Sequence, residues 1–91
     1  MRITIPKNTW VNIKQAASLE DDKAYTTSNE GISILQVTTD QDNSTAPTQD
    51  PRTIGVRQDN RGSRWLDHSS KNGKGIWVYS YDIDGELEVQ I

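Results

Sequence analysis

The sequence predicts an all-β fold: a small antiparallel β-sandwich or partly open barrel of six to eight short strands. Three observations carry that prediction. Runs rich in β-branched and aromatic residues recur along the chain, separated by clusters of Asn, Asp, Ser and Gly. Only Lys14 to Asp22 has helical character, and it lacks the repeated apolar stripe of a packed helix, so one helical turn is expected there. The closing residues Leu87, Val89 and Ile91 alternate with Glu86, Glu88 and Gln90. That is the period of a strand with one face in a core and one in water.

Taken in order, Arg2 to Ile5 alternates as a first strand and stops at Pro6, which cannot donate to a ladder. Lys7-Asn8 is a turn, and Thr9 to Ile13 resumes as a strand. Ala24 to Ser28 leads into a turn at Asn29-Glu30-Gly31. Ile32 to Thr39 is strand-like but changes phase between Ile34 and Leu35, which predicts either two covered faces or a β-bulge. Asp40 to Thr53 is almost wholly polar, so it reads as a long surface loop over about 40–53. Thr53 to Arg57 returns to a strand, with Gly55 marking a bulge or a close backbone approach. A turn at Asp59 to Gly62, a strand from Ser63 to His68 and a loop from Ser69 to Gly75 follow. The final run, Ile76 to Tyr81, is apolar on both faces. Asp84-Gly85 then predicts a terminal hairpin over 76–91.

At 91 residues this is one domain, spanning 1–91. Only 32% of residues are hydrophobic and Phe is absent, so three Trp and three Tyr supply much of the large apolar volume. A thin core makes association with other chains attractive, because an interface supplies burial that the core lacks. Zero cysteines exclude disulfides, thiol chemistry and Cys-based metal sites. A net charge of −3 argues against a general nucleic-acid field. The absence of a long apolar run argues against a membrane partner or a cleaved signal, so synthesis in the cytoplasm is expected.

No catalytic, cofactor-binding or metal-binding set emerges from the motifs. Asp40-x-Asp42-x-Ser44 opens like an EF-hand loop, but Thr45 and Pro51 stand where Gly and Glu are needed. Asp67 and His68 are strand neighbours that point to opposite faces, so they cannot orient one another as in a triad. Asp82, Asp84, Glu86 and Glu88 crowd the terminal hairpin, where carboxylates on the outer face of a terminal strand guard against edge pairing. Gly73-Lys74-Gly75 lacks the spacing of a phosphate loop. The expected protein is not an enzyme.

What remains is a candidate interface. Trp77, Tyr79 and Tyr81 form an aromatic stripe at strand spacing. Packing into the sandwich core is its simplest reading, and a protein interface or a sugar-stacking platform are its functional ones. Arg52, Arg57, Arg61 and Arg64 gather near Trp65, a pattern that serves ion pairs or an acidic protein neighbour better than single-stranded nucleic acid in so acidic a chain. The candidate interface residues are therefore Trp65, Trp77, Tyr79, Tyr81, Arg57, Arg61 and Arg64.

The order of signals also resembles a known group. The chain opens Ile3-Thr4-Ile5-Pro6-Lys7-Asn8-Thr9-Trp10-Val11 and runs mid-chain through Ser44-Thr45-Ala46-Pro47. It closes with Gly75-Ile76-Trp77-Val78-Tyr79-Ser80, a short turn and Gly85-Glu86-Leu87-Glu88-Val89-Gln90. This resembles small all-β virion proteins of tailed bacteriophages, of the capsid decoration, head-fibre or knob type. The charged segment Arg57 to Asp67 departs from that pattern. The resemblance implies a virion structural protein that self-associates and attaches to the capsid or another particle component, with copies of itself and other phage structural proteins as partners. A carbohydrate- or host-surface-binding module is the alternative function. An acidic protein that docks on a host protein and regulates it is the second.

Overall fold

A computed structural model describes residues 1–59 and 65–90. Arg61 and Arg64, the turn expected at Asp59 to Gly62 beyond its first residue, and Ile91 lie outside the described residues. Within them the chain forms β1 (Arg2–Ile5), β2 (Trp10–Asn12), α1 (Ile13–Ala16), β3 (Lys23–Asn29) and β4 (Leu35–Thr38). A 3-10 turn (Pro51–Thr53) precedes β5 (Val56–Gln58), β6 (Trp65–Ser70), β7 (Trp77–Ser80) and β8 (Gly85–Gln90). The eight strands make two antiparallel four-stranded sheets, sheet I in the order β1-β8-β3-β6 and sheet II in the order β2-β7-β4-β5. This is the small β-sandwich the alternation predicts.

The core between the sheets is aliphatic. Ile5, Leu87 and Val89 from sheet I meet Leu35, Val37 and Val78 from sheet II, and Ile13, Ala17, Leu19 and Ile76 close one end. Val78 is paired with Val11 on one side and Val37 on the other, and Val37 with Val56, so one Val row crosses sheet II on its inner side. Removing an aliphatic side chain from so thin a core costs about 2–5 kcal/mol. All four residues of β4 are buried. The phase change before Leu35 therefore reflects two covered faces, and the strand simply begins at Leu35.

Part of the interior is polar. Thr27, Asn29, Gln58 and His68 are buried together, with Thr27 Oγ1 donating to Gln58 Oε1 at 3.1 Å and lying 2.8 Å from His68 Nε2. Gln58 Nε2 donates to the Thr27 carbonyl at 2.8 Å, and Asn29 Nδ2 to the Ser33 and Gln58 carbonyls. Reciprocal pairing of this kind keeps buried polar groups from costing the fold. Burial lowers the His68 pKa, and the nearby Asp67 opposes that shift. Lys14 is also buried, 6% exposed, and its Nζ donates to the Lys71 and Lys74 carbonyls and pairs with Asp21. It pins the loop between β6 and β7 to the short helix.

Two expectations are corrected. The last two strands are not a hairpin: β7 pairs with β2 and β4, whereas β8 pairs with β1 and β3. The segment between them is a corner that passes from one sheet to the other. The positive φ falls on Asp82 at 64°, not on Gly85. Gly85 is required for close packing, since a Cβ there would come within 2.8 Å of Leu35 Cδ2 and Ser80 Oγ. Secondly, β8 is a central strand, so its carboxylates do not guard an edge. Glu88 accepts from Arg2 Nε at 3.2 Å and Glu86 from Thr4 Oγ1 at 2.9 Å, tying β8 to β1.

Candidate binding face

Alternation along sheet II places the partners of the inner Val row on one side and a second row on the other. Trp10 pairs with Tyr79, Tyr79 with Gln36 and Gln36 with Arg57, so this outer row crosses all four strands. The aromatic stripe is thus not part of the core cluster. Val78 and Ile76 are core residues, and Trp77 and Tyr79 alternate to the outer face. The Trp10 and Tyr79 rings sit 5.2 Å apart at 56°, and those of Tyr79 and Tyr81 5.3 Å apart at 68°. Tilted and edge-on contacts of this kind favour the pair by about 0.5–1.5 kcal/mol beyond area burial.

The long polar loop decides which part of this face is covered. Its first half folds over Trp77, whose Nε1 donates to the Asp42 carbonyl at 2.9 Å. Asn12 Nδ2 donates to Asn43 at both its carbonyl and its Oδ1, and Gly75 N donates to the Gln41 carbonyl at 2.9 Å. Asp42 accepts from Ser44 N and Oγ at 2.7 Å each, and Asp40 pairs with Lys71 at 2.8 Å. These bonds hold both carboxyls below their ordinary range. The Asp42 carboxylate thus serves its own loop, and that of Asp40 ties the loop to the β6–β7 connection.

The second half of the loop forms a wall. Asp50 caps the 3-10 turn by accepting from Arg52 N, and its carboxylate also receives Arg52 Nε at 3.2 Å and Nη2 at 3.0 Å. That forked pair keeps the Asp50 carboxyl below its ordinary range. Gly55 has φ +76° and lies so close to β4 that a Cβ would collide with the Val37 carbonyl, the close approach the sequence marks. Gln36 Nε2 donates to the Ile54 carbonyl at 2.7 Å. Between this wall and the Tyr81–Asp82 corner lies an open cleft of about 570 Å³, lined by Ile34, Gln36, Arg52, Gly55, Arg57, Tyr81 and Asp82.

The corner is braced by the turn that precedes β2. Asn8 Oδ1 accepts from Tyr79 Oη at 3.2 Å and from Asp82 N at 3.0 Å. Tyr81 Oη is buried with no hydrogen-bond partner among the described residues. Burial pushes the Tyr81 phenol above its ordinary pKa, and Asp50 adds to the shift. Arg57 Nε donates to Asp59 Oδ1 at 2.7 Å.

Of the interface residues read from the sequence, Arg57, Tyr79 and Tyr81 come together here. Trp77 shares the face but is roofed by the loop and only 8% exposed. Trp65 is set apart, 44% exposed on the edge strand β6 of sheet I. Asp67, on β6, is exposed while His68 is buried. The interface read from the sequence left out Trp10, Gln36 and Asp82, and Arg52 too, although Arg52 stood in the Arg cluster. Trp10 was readable from its alternation with Val11, but nothing local ties the loop residue Arg52 to Tyr81.

The chain matches no family model, no curated protein and no solved structure. No helix among the described residues is long and apolar enough to cross a membrane.

Proposed function

We propose that this chain is a non-enzymatic interaction protein, a structural accessory of a tailed-bacteriophage virion. It self-associates and attaches to a particle component by burying the outer face of sheet II. One observation carries the reading: the rings of Trp10, Tyr79 and Tyr81 lie outside the core and keep part of their surface exposed, in a row completed by buried Gln36 and exposed Arg57. Tyr, Trp and Arg are the residues that dominate contact energies when a partner removes them from water. The neighbouring corner adds exposed Ile83, and the loop bonded to it through Tyr81 N and the Ile34 carbonyl adds Ile32, which is 88% exposed. Apolar groups at a rim of charged residues suit attachment by non-covalent burial.

The test is the mass in solution and the content of purified particles. Light scattering of the wild-type chain is expected to give an oligomer, and Tyr79→Ala with Trp10→Ser is expected to give a folded monomer. A wild-type monomer that is also missing from purified particles sinks the reading.

A further inference from the structure

We propose that the cleft beside Tyr81 is a binding site for one neutral sugar ring, a hexose or hexosamine. This rests on reading the outer face of sheet II as the contact surface, and it names the chemistry that one end of that surface recognises.

The polar groups of the cleft offer both halves of the hydrogen bonds that a polyol makes. Arg52 spends Nε and Nη2 on Asp50, and Arg57 spends Nε on Asp59, which leaves further guanidinium N–H groups of both to donate. Gln36 is oriented by the Ile54 carbonyl through its Nε2, which turns Oε1 into a fixed acceptor. The Asp82 carboxylate has no partner among the described residues and lines the same space. Tyr81 Oη, buried and unpartnered, both donates and accepts.

Charge selects the ligand class. Arg52 and Arg57 stand beside Asp50, Asp59 and Asp82, so a free anion meets carboxylates and a free cation meets guanidinium groups. A ligand whose hydroxyls both donate and accept meets neither penalty. Ion pairing also holds the two Arg side chains in place before a ligand arrives, which lowers the ordering cost of binding. The Tyr81 ring, locked edge-on against Tyr79, and Ile34 supply apolar surface for the C–H face of a ring. A volume of about 570 Å³ lies within the range of small-ligand sites.

The experiment is a titration of the ¹⁵N-labelled full chain, followed by amide NMR, with glucose, galactose, mannose and N-acetylglucosamine. Sodium sulfate and sodium acetate form a second arm, and a glycan array a third that separates a surface glycan from a free sugar. Saturable binding of at least one sugar in the millimolar range is expected, with shifts at the amides of Gln36, Gly55, Tyr81 and Asp82. Arg57→Ala and the shape-conserving Tyr81→Phe are each expected to weaken it about tenfold, roughly one hydrogen bond to a charged or buried group. Trp65→Ala, on the other sheet, leaves it unchanged. No saturable response to any sugar in solution or on the array overturns the proposal. So does an equal response to sulfate or acetate, or sugar binding untouched by Arg57→Ala. A chain that assembles on particles but binds no sugar overturns this inference alone. A strict monomer that binds sugar and is missing from particles keeps the site and removes the assembly reading.

Discussion

The two sheets carry equivalent rows on their outer faces, one mainly polar with a single ring at the edge and the other with two adjoining rings beside polar groups. In sheet I, Arg2 pairs with Glu88, Glu88 with Ser28 and Ser28 with Trp65. In sheet II, Trp10 pairs with Tyr79, Tyr79 with Gln36 and Gln36 with Arg57. The polar members of the first row are paired, Arg2 with Glu88 and Ser28 Oγ with Glu30 at 2.8 Å, and Trp65 ends it at the sheet edge, 44% exposed. The second row presents ring surface that gains from being covered. The chain covers Trp77 with the polar loop and leaves Tyr79 and Tyr81 partly exposed. The difference teaches that a polar loop can act as a lid when its backbone carbonyls, helped by Asn43 and Asp40, bond to the groups beneath it.

Substituting the same residue type on each face gives the largest expected contrast. Trp77→Ala removes a covered ring and the bond to the Asp42 carbonyl, and is expected to cost about 3–5 kcal/mol in urea unfolding. Trp65→Ala removes an exposed ring and is expected to stay within about 0.5 kcal/mol. Equal losses at the two positions break the comparison.

A second contrast lies in pH, and it separates the buried polar cluster from the loop. His68 has a folded pKa below its ordinary 6.5 because burial disfavours the charged ring. The native state then binds fewer protons than the unfolded chain near and below that pH, so stability falls as pH drops through about 6.5. Asp40, Asp42 and Asp50 have folded values below their ordinary 3.8, so their stabilisation is present above that pH and is lost as pH falls below it. Urea midpoints followed from neutral pH downward are expected to show two steps, with His68→Gln removing only the upper one. A His68→Gln chain that keeps the upper step refutes the assignment.

The smallest effect belongs to the charged row. Glu88→Gln is expected to cost about 0.2–1 kcal/mol, falling toward zero in molar salt, because its partner Arg2 is half-exposed. A salt-independent loss well above 1 kcal/mol would place Glu88 with the covered groups instead.

The same contrast explains what was legible beforehand. Arg57, Tyr79 and Tyr81 were picked out as candidate contact residues because Arg beside Tyr on short strands is an interface composition, and the fold brings the three together. Arg52 and Gln36 were not, since their place in the site depends on a loop crossing from β4 to β5 over the sheet. The terminal hairpin misled for a related reason. Asp84-Gly85 is a turn signal between two strand-like runs, but the chain turns at Asp82 and sends β8 to the other sheet.

By itself the sequence determined which faces of the strands are apolar, because the pleat sends successive side chains to opposite sides whatever the partner strand. Leu87 and Val89 were bound to be buried if Glu86 and Glu88 were to meet water, and so they are. Only the tertiary structure decided which strand lies next to which. Pairing is a contest among segments far apart in the chain, won by whichever arrangement closes one core and satisfies every backbone group. That contest placed β7 between β2 and β4, turned Trp77 and Tyr79 away from the core, and built a cleft from a loop that carries no pattern of its own.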